Sequence, residues 1–282
     1  MRATVEGATR SELGEGPIWQ PQSGSLLWID IDAGLLHRLS PAGQTTRSLG
    51  AAAGSVVPRA AGGLLIAFAD RLLVEDAASQ TVMSVDTTAI APRHRFNDGA
   101  CDSSGRYWTG TIATEFGSEP GVFLRLEPDG ELRVMRDEVA FSNGIGWSPD
   151  ESILYLIDSL DWVLLAFPFE VRRGELGVPR RLVEFDEGGG LPDGLAVDSD
   201  GSIWVARYGG AAIECYSDDG VLRDRVALEA RQPTSLAFGS DDLATLWITS
   251  ARQHLAEPGP ADGALLRLRP GATGLPSHTF GG

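Results

Sequence analysis

Short apolar runs, each bounded by polar turn residues, make up almost the whole chain. Runs such as "SLLWID" and "SIWVAR" are rich in aromatic and branched residues, and clusters of Gly, Pro, Asp and Ser separate them. No long segment shows the apolar spacing of an amphipathic helix. This pattern is typical of strands joined by tight turns. The sequence therefore predicts an all-β protein.

One unit of this pattern recurs along the chain: an apolar strand, a turn with Asp or Gly, and a second strand that usually carries an aromatic residue. The copies begin at Glu15, Gly54, Asn97, Ser142, Pro192 and Pro233, of which the copy at Gly54 is the weakest. The second strands are marked by Trp28, Leu65, Trp108, Tyr155, Trp204 and Trp247, which are separated by 37, 43, 47, 49 and 43 residues. Steps of this length suit one four-stranded blade each. We predict a six-bladed β-propeller in which residues 1–282 form a single domain.

Two further features fit this architecture. The N-terminal segment "ATVEGAT" is expected to pair with the last blade and close the ring, because closure removes exposed sheet edges. The tryptophans recur with the repeat, as packing between blades requires, so we assign them to the core.

Composition narrows the class of protein. The net charge is −16 and the chain contains no lysine, which argues against nucleic acid as a partner. The N-terminus has no apolar leader and no run is long enough to span a bilayer, so we expect a cytoplasmic protein without membrane association. Nothing indicates an obligate protein partner. Cys101 and Cys215 show no metal-ligand spacing, and we expect two reduced thiols without a catalytic role.

The repeat brings oxygen-bearing residues to one end of the propeller. The innermost strand of each blade lines the central channel, and the residue just before it stands at one mouth. Four blades place a carboxylate or amide there, on Glu15, Asn97, Asn143 and Asp193. The other two blades offer Ser55 and Thr234 nearby.

Like carboxylates share a partly desolvated site only when a cation neutralises them. Glu15, Asn143 and Asp193 therefore predict a metal site. Oxygen-only ligands favour Ca²⁺, Mg²⁺ or Mn²⁺ over zinc held by His and Cys, and three protein ligands leave positions for water and substrate. The plainer interpretation is that Asp193 before Gly194 is ordinary turn chemistry. Asp98, which precedes a glycine too, is assigned to a turn and left out of the ligand set.

Four segments resemble a known family. "GEGPIW", "RFNDGACDSSGRYWTGT", "SNGIGWSPDESILYLIDS" and "PDGLAVDSDGSIWVARYGG" are similar to signature segments of the gluconolactonase, regucalcin and luciferin-regenerating-enzyme family. The resemblance runs from about Glu12 to Arg252. It implies a six-bladed propeller with one divalent cation on the axis, Ca²⁺ first and Mn²⁺, Mg²⁺ or Zn²⁺ as alternatives. The metal ligands it implies are again Glu15, Asn143 and Asp193.

The same resemblance implies a set of residues that contact a sugar. These are Arg95 and Asn97 in "RFN" and an acidic residue in "TIATE", which we place at Glu115. Glu119 is the alternative, because "ATEFGSEPG" departs from the family pattern in this loop.

Together these features predict a metal-dependent lactonase that opens a sugar lactone, such as glucono-1,5-lactone, to the aldonic acid. The cation would polarise the carbonyl and Asp193 would act as general base. A phosphotriesterase-like hydrolase and a calcium-binding propeller without turnover remain as alternatives. A Ser-His-Asp hydrolase is disfavoured, because the chain has no G-x-S-x-G segment and its four histidines are scattered.

Overall fold

A computed structural model describes residues 1–88 and 93–282. Within these ranges the chain folds into six antiparallel sheets arranged in a ring, with two short 3₁₀ turns at Pro21–Ser23 and Glu187–Gly189. This confirms the predicted six-bladed β-propeller. The described residues form no helix that is long and apolar enough to cross a membrane.

The first strand of the chain, β1 (Thr4–Glu6), belongs to the last blade. The first blade consists of β2 (Gly14–Gln20), β3 (Ser25–Asp30), β4 (Leu35–Ser40) and β5 (Gly43–Ser48). The second consists of β6 (Ala53–Pro58), β7 (Leu64–Phe68), β8 (Arg71–Glu75) and β9 (Thr81–Asp86). The third consists of β10 (His94–Cys101), β11 (Tyr107–Ala113), β12 (Gly121–Leu126) and β13 (Leu132–Val139).

The remaining blades follow the same order from the axis outwards. The fourth consists of β14 (Ser142–Trp147), β15 (Ile153–Asp158), β16 (Val163–Glu170), β17 (Glu175–Leu176) and β18 (Arg180–Glu184). The fifth consists of β19 (Leu191–Val197), β20 (Ile203–Tyr208), β21 (Ala212–Tyr216) and β22 (Leu222–Ala227). The sixth consists of β23 (Pro233–Gly239), β24 (Thr245–Ser250) and β25 (Leu265–Leu268), with β1 as its outer strand.

The N-terminal strand closes the ring as predicted. Strand β1 pairs antiparallel with β25, and Val5 lies opposite Leu266. The outer strand of the last blade thus comes from the other end of the chain, so separating the ends would expose a sheet edge in this blade.

Two of the repeated tryptophans are each held by an aspartate of the preceding turn. The indole N–H of Trp108 donates to Asp102 at 2.8 Å, and that of Trp204 donates to Asp198 at 3.0 Å. Asp198 also accepts the backbone N–H of Ser202 at 2.8 Å, so one buried carboxylate shapes the turn and orients the ring. The two tryptophans are 0% and 4% exposed, which confirms their place in the core.

Loss of this carboxylate should destabilise the fold. We expect Asp198→Ala to reduce the free energy of unfolding by about 2–4 kcal/mol, because several buried donors lose a charged acceptor. The matched control is Asp200→Ala in the same turn, whose exposed side chain should contribute less than about 0.5 kcal/mol. Urea unfolding of both variants measures the difference, and equal stability would contradict the role of Asp198.

The C-terminal segment crosses the face of the propeller where the innermost strands end. Gly274 forms a bridge with Asp198, and Phe280 forms one with Arg59 on the other side of the channel. Phe280 is fully buried between blades. Residues 275–278 line the end of a channel cavity of about 540 Å³. We therefore expect substrate to enter from the opposite mouth.

The cysteines are buried and unpaired, as expected for reduced thiols. Burial raises the pKa of the Cys101 thiol well above its usual value and that of Cys215 to about 11. The reactive thiolate is therefore disfavoured at both positions.

Candidate active site

The four oxygen-bearing residues predicted at the mouth lie inside the innermost strands, close to their first residues. The sequence placed them just before these strands, and this detail is corrected by the structure. In β10, β14 and β19 the ladder is interrupted so that two residues oppose one on the neighbouring strand. Asn97, Asn143 and Asp193 are each the first residue of such a bulge, and Glu15 immediately precedes the bulge in β2. A β-bulge redirects side chains out of the regular pleat, so the strand can continue while these residues face the channel.

The glycines that follow Asn143 and Asp193 serve close packing between blades. A Cβ on Gly144 would lie 2.8 Å from the carbonyl oxygen of Asp193 in the next blade, and one on Gly194 would collide with the Ser235 side chain. Both lie within strands and neither has a positive φ. The interpretation of Asp193 before Gly194 as turn chemistry is therefore wrong.

Asp98 is likewise part of a strand and not of a turn. It is the second residue of the bulge in β10, and a Cβ on Gly99 would collide with the ring of Tyr107. Burial raises the pKa of the Asp98 carboxyl to about 6, although the backbone N–H of Gly99 donates to it at 2.8 Å. The channel thus contains a third acidic group beside the two predicted ligands.

The two acidic ligand candidates are buried and repel each other. Glu15 is 9% exposed and Asp193 is 6% exposed. The pKa of Glu15 is raised to about 8, mainly by burial and then by the charge of Asp98. The backbone N–H of Gly16 and the charge of Arg95 act in the opposite direction. Burial, then the charge of Glu15, raises the pKa of Asp193 well above its usual value, and none of the described residues offsets this with a hydrogen bond.

A continuous chain of hydrogen bonds joins the remaining site residues. Arg95 donates to Oδ1 of Asn97 at 2.9 Å, and Nδ2 of Asn97 donates to Oδ1 of Asn143 at 2.6 Å. Nδ2 of Asn143 donates to the hydroxyl of Ser159 at 2.8 Å, and that hydroxyl donates to the carbonyl of Pro192 at 2.6 Å. This chain of hydrogen bonds therefore spans three blades and ends at Pro192, the residue before Asp193.

In the two blades without an acid or amide, the corresponding residues carry hydroxyls that form hydrogen bonds with a neighbouring blade. Ser55 forms a hydrogen bond with the hydroxyl of Tyr107, and Thr234 donates to the carbonyl of Gly14. Both side chains are buried. They connect neighbouring blades around the site.

Buried aspartates at the ends of two second strands secure the segments that lead into the site. These are Asp30, the last residue of β3 in the first blade, and Asp158, the last residue of β15 in the fourth. Their carboxylates accept the backbone N–H groups of Glu12, Leu13, Ala140 and Phe141. These segments lead directly into the strands that carry Glu15 and Asn143, so the aspartates help to fix where those strands begin.

The donor set fits a hard divalent cation. Across residues 1–88 and 93–282, no three or more His, Cys, Asp or Glu side chains form a group that could hold a metal ion. A cation bound by Glu15 and Asp193 would thus need a neutral ligand, and the amide oxygen of Asn143 is such a ligand. Two carboxylates and one amide oxygen are the ligand types that Ca²⁺ prefers. A cation would also relieve the repulsion between the two acids.

The predicted sugar-contacting residues fall into two groups. Arg95 is half-buried beside the acids, and burial lowers the pKa of its guanidinium while Glu15 acts against that shift. Asn97 lies beside Asn143. Glu115 is exposed in the loop after β11, at the mouth end of its blade. Glu119 of the same loop is paired with Arg93 at 2.6 Å.

The structure adds three residues that the sequence did not reveal. Ser159 lies directly after β15 and is fully buried. Tyr208 is the last residue of β20. Burial raises the pKa of its hydroxyl, the hydrogen bond with Gln253 lowers it, and the charge of Asp193 raises it further. Asp32 lies in the turn after β3, and its negative charge raises the pKa of the Arg95 guanidinium. Only the "LIDS" segment offered a signal for Ser159, and nothing in it indicated the bond to Asn143.

Comparison with known proteins places the chain among lactonases and regucalcins. Residues 13–252 match the SMP-30/Gluconolactonase/LRE-like region. The chain is 36% identical over 292 residues to a 6-deoxy-6-sulfogluconolactonase of Pseudomonas putida, covering 100% of both chains. It is 34% identical over 291 residues to a pentonolactonase of Haloferax volcanii, covering 98% of this chain and 97% of the relative.

A solved structure shows the same architecture. Regucalcin from Agrobacterium tumefaciens, described as a calcium-binding protein, superposes with a TM-score of 0.92 and 28% identity over 98% of this chain and 96% of that one. The match to the family extends from β2 to just beyond β24, and so it includes all four oxygen-bearing site residues. The chain belongs to the SMP-30/gluconolactonase/LRE-like family.

Proposed function

We propose that the protein is a divalent-cation-dependent hydrolase of sugar lactones. The observation that carries this proposal is the pair of buried carboxylates, Glu15 and Asp193, which lie at the bulges of innermost strands, as does the amide of Asn143. Burial raises the pKa of both acids, and the charge of Glu15 adds to the shift of Asp193. Two relatives that align along almost the whole chain are lactonases by name, which supports the same reaction class.

The ligands in this proposal are Glu15, Asn143 and Asp193. Ca²⁺ is the first candidate, because all three donors are hard oxygens and the similar regucalcin is described as calcium-binding. Mn²⁺, Mg²⁺ and Zn²⁺ are the alternatives. When bound, the cation supplies Lewis-acid polarisation of the lactone carbonyl and stabilises the developing oxyanion.

Asp193 acts as the general base in this reaction. Its carboxylate takes a proton from water as the water oxygen bonds to the carbonyl carbon. The bond between that carbon and the ring oxygen then breaks, and the proton passes to the ring oxygen, which leaves as a hydroxyl of the aldonic acid.

Arg95, Asn97 and Glu115 orient the substrate. The guanidinium of Arg95 uses one nitrogen for Asn97 and Phe96, and its remaining N–H groups can donate to hydroxyl or carbonyl oxygens of the sugar. The exposed carboxylate of Glu115 can accept hydrogen bonds from hydroxyls at the mouth. Such contacts hold the lactone carbonyl towards the acidic site.

A panel of aldonolactones tests the proposal. Acid release from each lactone is measured with and without added divalent cations, and we expect turnover of at least one lactone that requires a cation. Calcium binding without turnover of any lactone would favour the non-enzymatic alternative. Turnover of a phosphotriester in place of all lactones would favour the phosphotriesterase alternative.

Arg95→Ala should separate substrate binding from metal binding. We expect kcat/KM on sugar lactones to fall by about 10- to 100-fold, the loss of one or two charged hydrogen bonds. The variant should still bind the cation, because the guanidinium is no ligand, although loss of a positive charge near Glu15 and Asp193 alters the affinity. Arg93→Ala is the matched control, since Arg93 is exposed and paired with Glu119. Calorimetry and steady-state kinetics measure both quantities, and an unchanged kcat/KM would remove Arg95 from the site.

A further inference from the structure

The amide of Asn143 has two ends of nearly equal size and opposite character. Oδ1 can bind a cation, whereas the Nδ2 amino group carries two hydrogens and cannot. The orientation of such an amide follows from its hydrogen-bond partners. A metal site that depends on Asn143 therefore needs a partner that distinguishes the two ends.

Ser159 can make this distinction because its only proton is already committed. Its hydroxyl donates to the carbonyl of Pro192 at 2.6 Å, and a backbone carbonyl is only an acceptor. Towards Asn143 the hydroxyl oxygen can then only accept. It does so from Nδ2 at 2.8 Å. Ser159 is fully buried, so water does not compete for this position.

Arg95, at the other end of this chain of hydrogen bonds, imposes the same orientation on the Asn143 amide. A guanidinium only donates, so the bond from Arg95 identifies the atom of Asn97 that it meets as Oδ1. Nδ2 of Asn97 then faces Asn143 and donates to Oδ1 at 2.6 Å, and it also donates to the carbonyl of Ser142 at 2.9 Å. If the Asn143 amide were flipped, its Nδ2 would face Nδ2 of Asn97 and its Oδ1 would face the hydroxyl oxygen of Ser159. Two donors would then meet at one end and two acceptors at the other.

We propose that Ser159 is a positioning residue that keeps the amide oxygen of Asn143 available to the cation. The inference rests on the proposed function, because it takes Asn143 as a metal ligand. Ser159 acts through Asn143 and contacts neither cation nor substrate. Side chains that orient metal ligands in this way typically change affinity by about 10- to 100-fold when they are removed.

A double-mutant cycle between Ser159 and Asn143 tests this role. Ca²⁺ affinity is measured by calorimetry, and the Ca²⁺-induced shift in melting temperature is measured alongside, for wild type, Ser159→Ala, Asn143→Asp and the double variant. We expect Ser159→Ala to weaken Ca²⁺ binding by about tenfold or more in the wild-type background. In the Asn143→Asp background the same change should cost less than about threefold, because a carboxylate presents oxygen at either end.

The control is Ser148→Ala, which removes another buried hydroxyl of the same blade, one that serves the turn around Asp150. Its Ca²⁺ affinity should equal that of wild type. If Ser159→Ala does not fold, Ser159→Cys replaces it in the cycle, since a thiol is a much weaker donor of similar shape.

The outcomes separate the two proposals. An equal loss of affinity in both backgrounds would show that Ser159 supports the fold only, and it would overturn the inference while the lactonase proposal stands. Unchanged affinity in Ser159→Ala would overturn it too. If wild-type protein binds no Ca²⁺ and no other divalent cation, the proposed function itself fails.

Discussion

Removal of divalent cations is expected to abolish lactone hydrolysis, with a loss of at least about a hundredfold in kcat. The oxyanion that forms during attack on the carbonyl needs a positive partner, and the cation is the one that the proposed mechanism supplies. Without it, the raised pKa values of Glu15 and Asp193 favour their protonated forms, so less of the Asp193 carboxylate is available as base.

Chelation followed by readdition measures this effect. The protein is treated with EDTA, the metal content is determined by elemental analysis, and acid release is assayed before and after Ca²⁺, Mn²⁺, Mg²⁺ or Zn²⁺ is restored. Binding to the folded state should also raise the free energy of unfolding by about 2.7 kcal/mol at a cation concentration of a hundred times Kd. Full activity in protein shown to be free of metal would refute the mechanism.

The fold was predictable because each blade carries its own local signals. Turn residues and a core residue recur with one period, and in the third and fifth blades a turn aspartate bonds the core tryptophan, Asp102 to Trp108 and Asp198 to Trp204. The carboxylate satisfies a buried indole N–H and the backbone of the turn together, so the residues occur as a unit. Closure by the N-terminal strand was predictable for a similar reason, since an open ring leaves an edge unpaired.

The arrangement of the candidate site was only partly predictable. The repeat brought Glu15, Asn143 and Asp193 to one end of the channel, but it could not show the bulges that turn these side chains inwards. A bulge depends on the pairing between two strands, and Gly194 looks the same in sequence whether it serves a turn or a close approach. The bond from Asn143 to Ser159 joins neighbouring strands in space and leaves no spacing signal.

The loop that carries Glu115 marks a further limit. Its position follows from a family pattern that this chain abandons after Glu115, so the sequence favoured Glu115 but left Glu119 as an alternative. In the structure Glu119 is paired with Arg93, whereas Glu115 is exposed. Loops of this kind are shaped by contacts with distant residues, which composition and periodicity do not encode.

The Asp193→Asn variant is expected to lose turnover by about a hundredfold or more, the usual scale for a positioned general base. Asparagine keeps an oxygen for the cation and nearly the same volume, so the variant should still bind cation, although more weakly. Its amide cannot take a proton from water. Activity is therefore measured at a cation concentration that calorimetry shows to be saturating, on protein with a melting curve that confirms an intact propeller.

Asp200→Asn provides the matched control, because Asp200 and Gly201 form an Asp-Gly pair in an exposed turn of the same blade, where Gly201 has a φ of +84°. Asparagine serves such a turn as well as aspartate does, so this variant should keep full activity. Asp193 lies instead in a strand, beside a glycine held by the neighbouring blade, and its carboxylate faces Glu15 in a buried channel. Turnover near that of wild type in Asp193→Asn would end the assignment of Asp193 as base, and another group would then have to accept the proton from water.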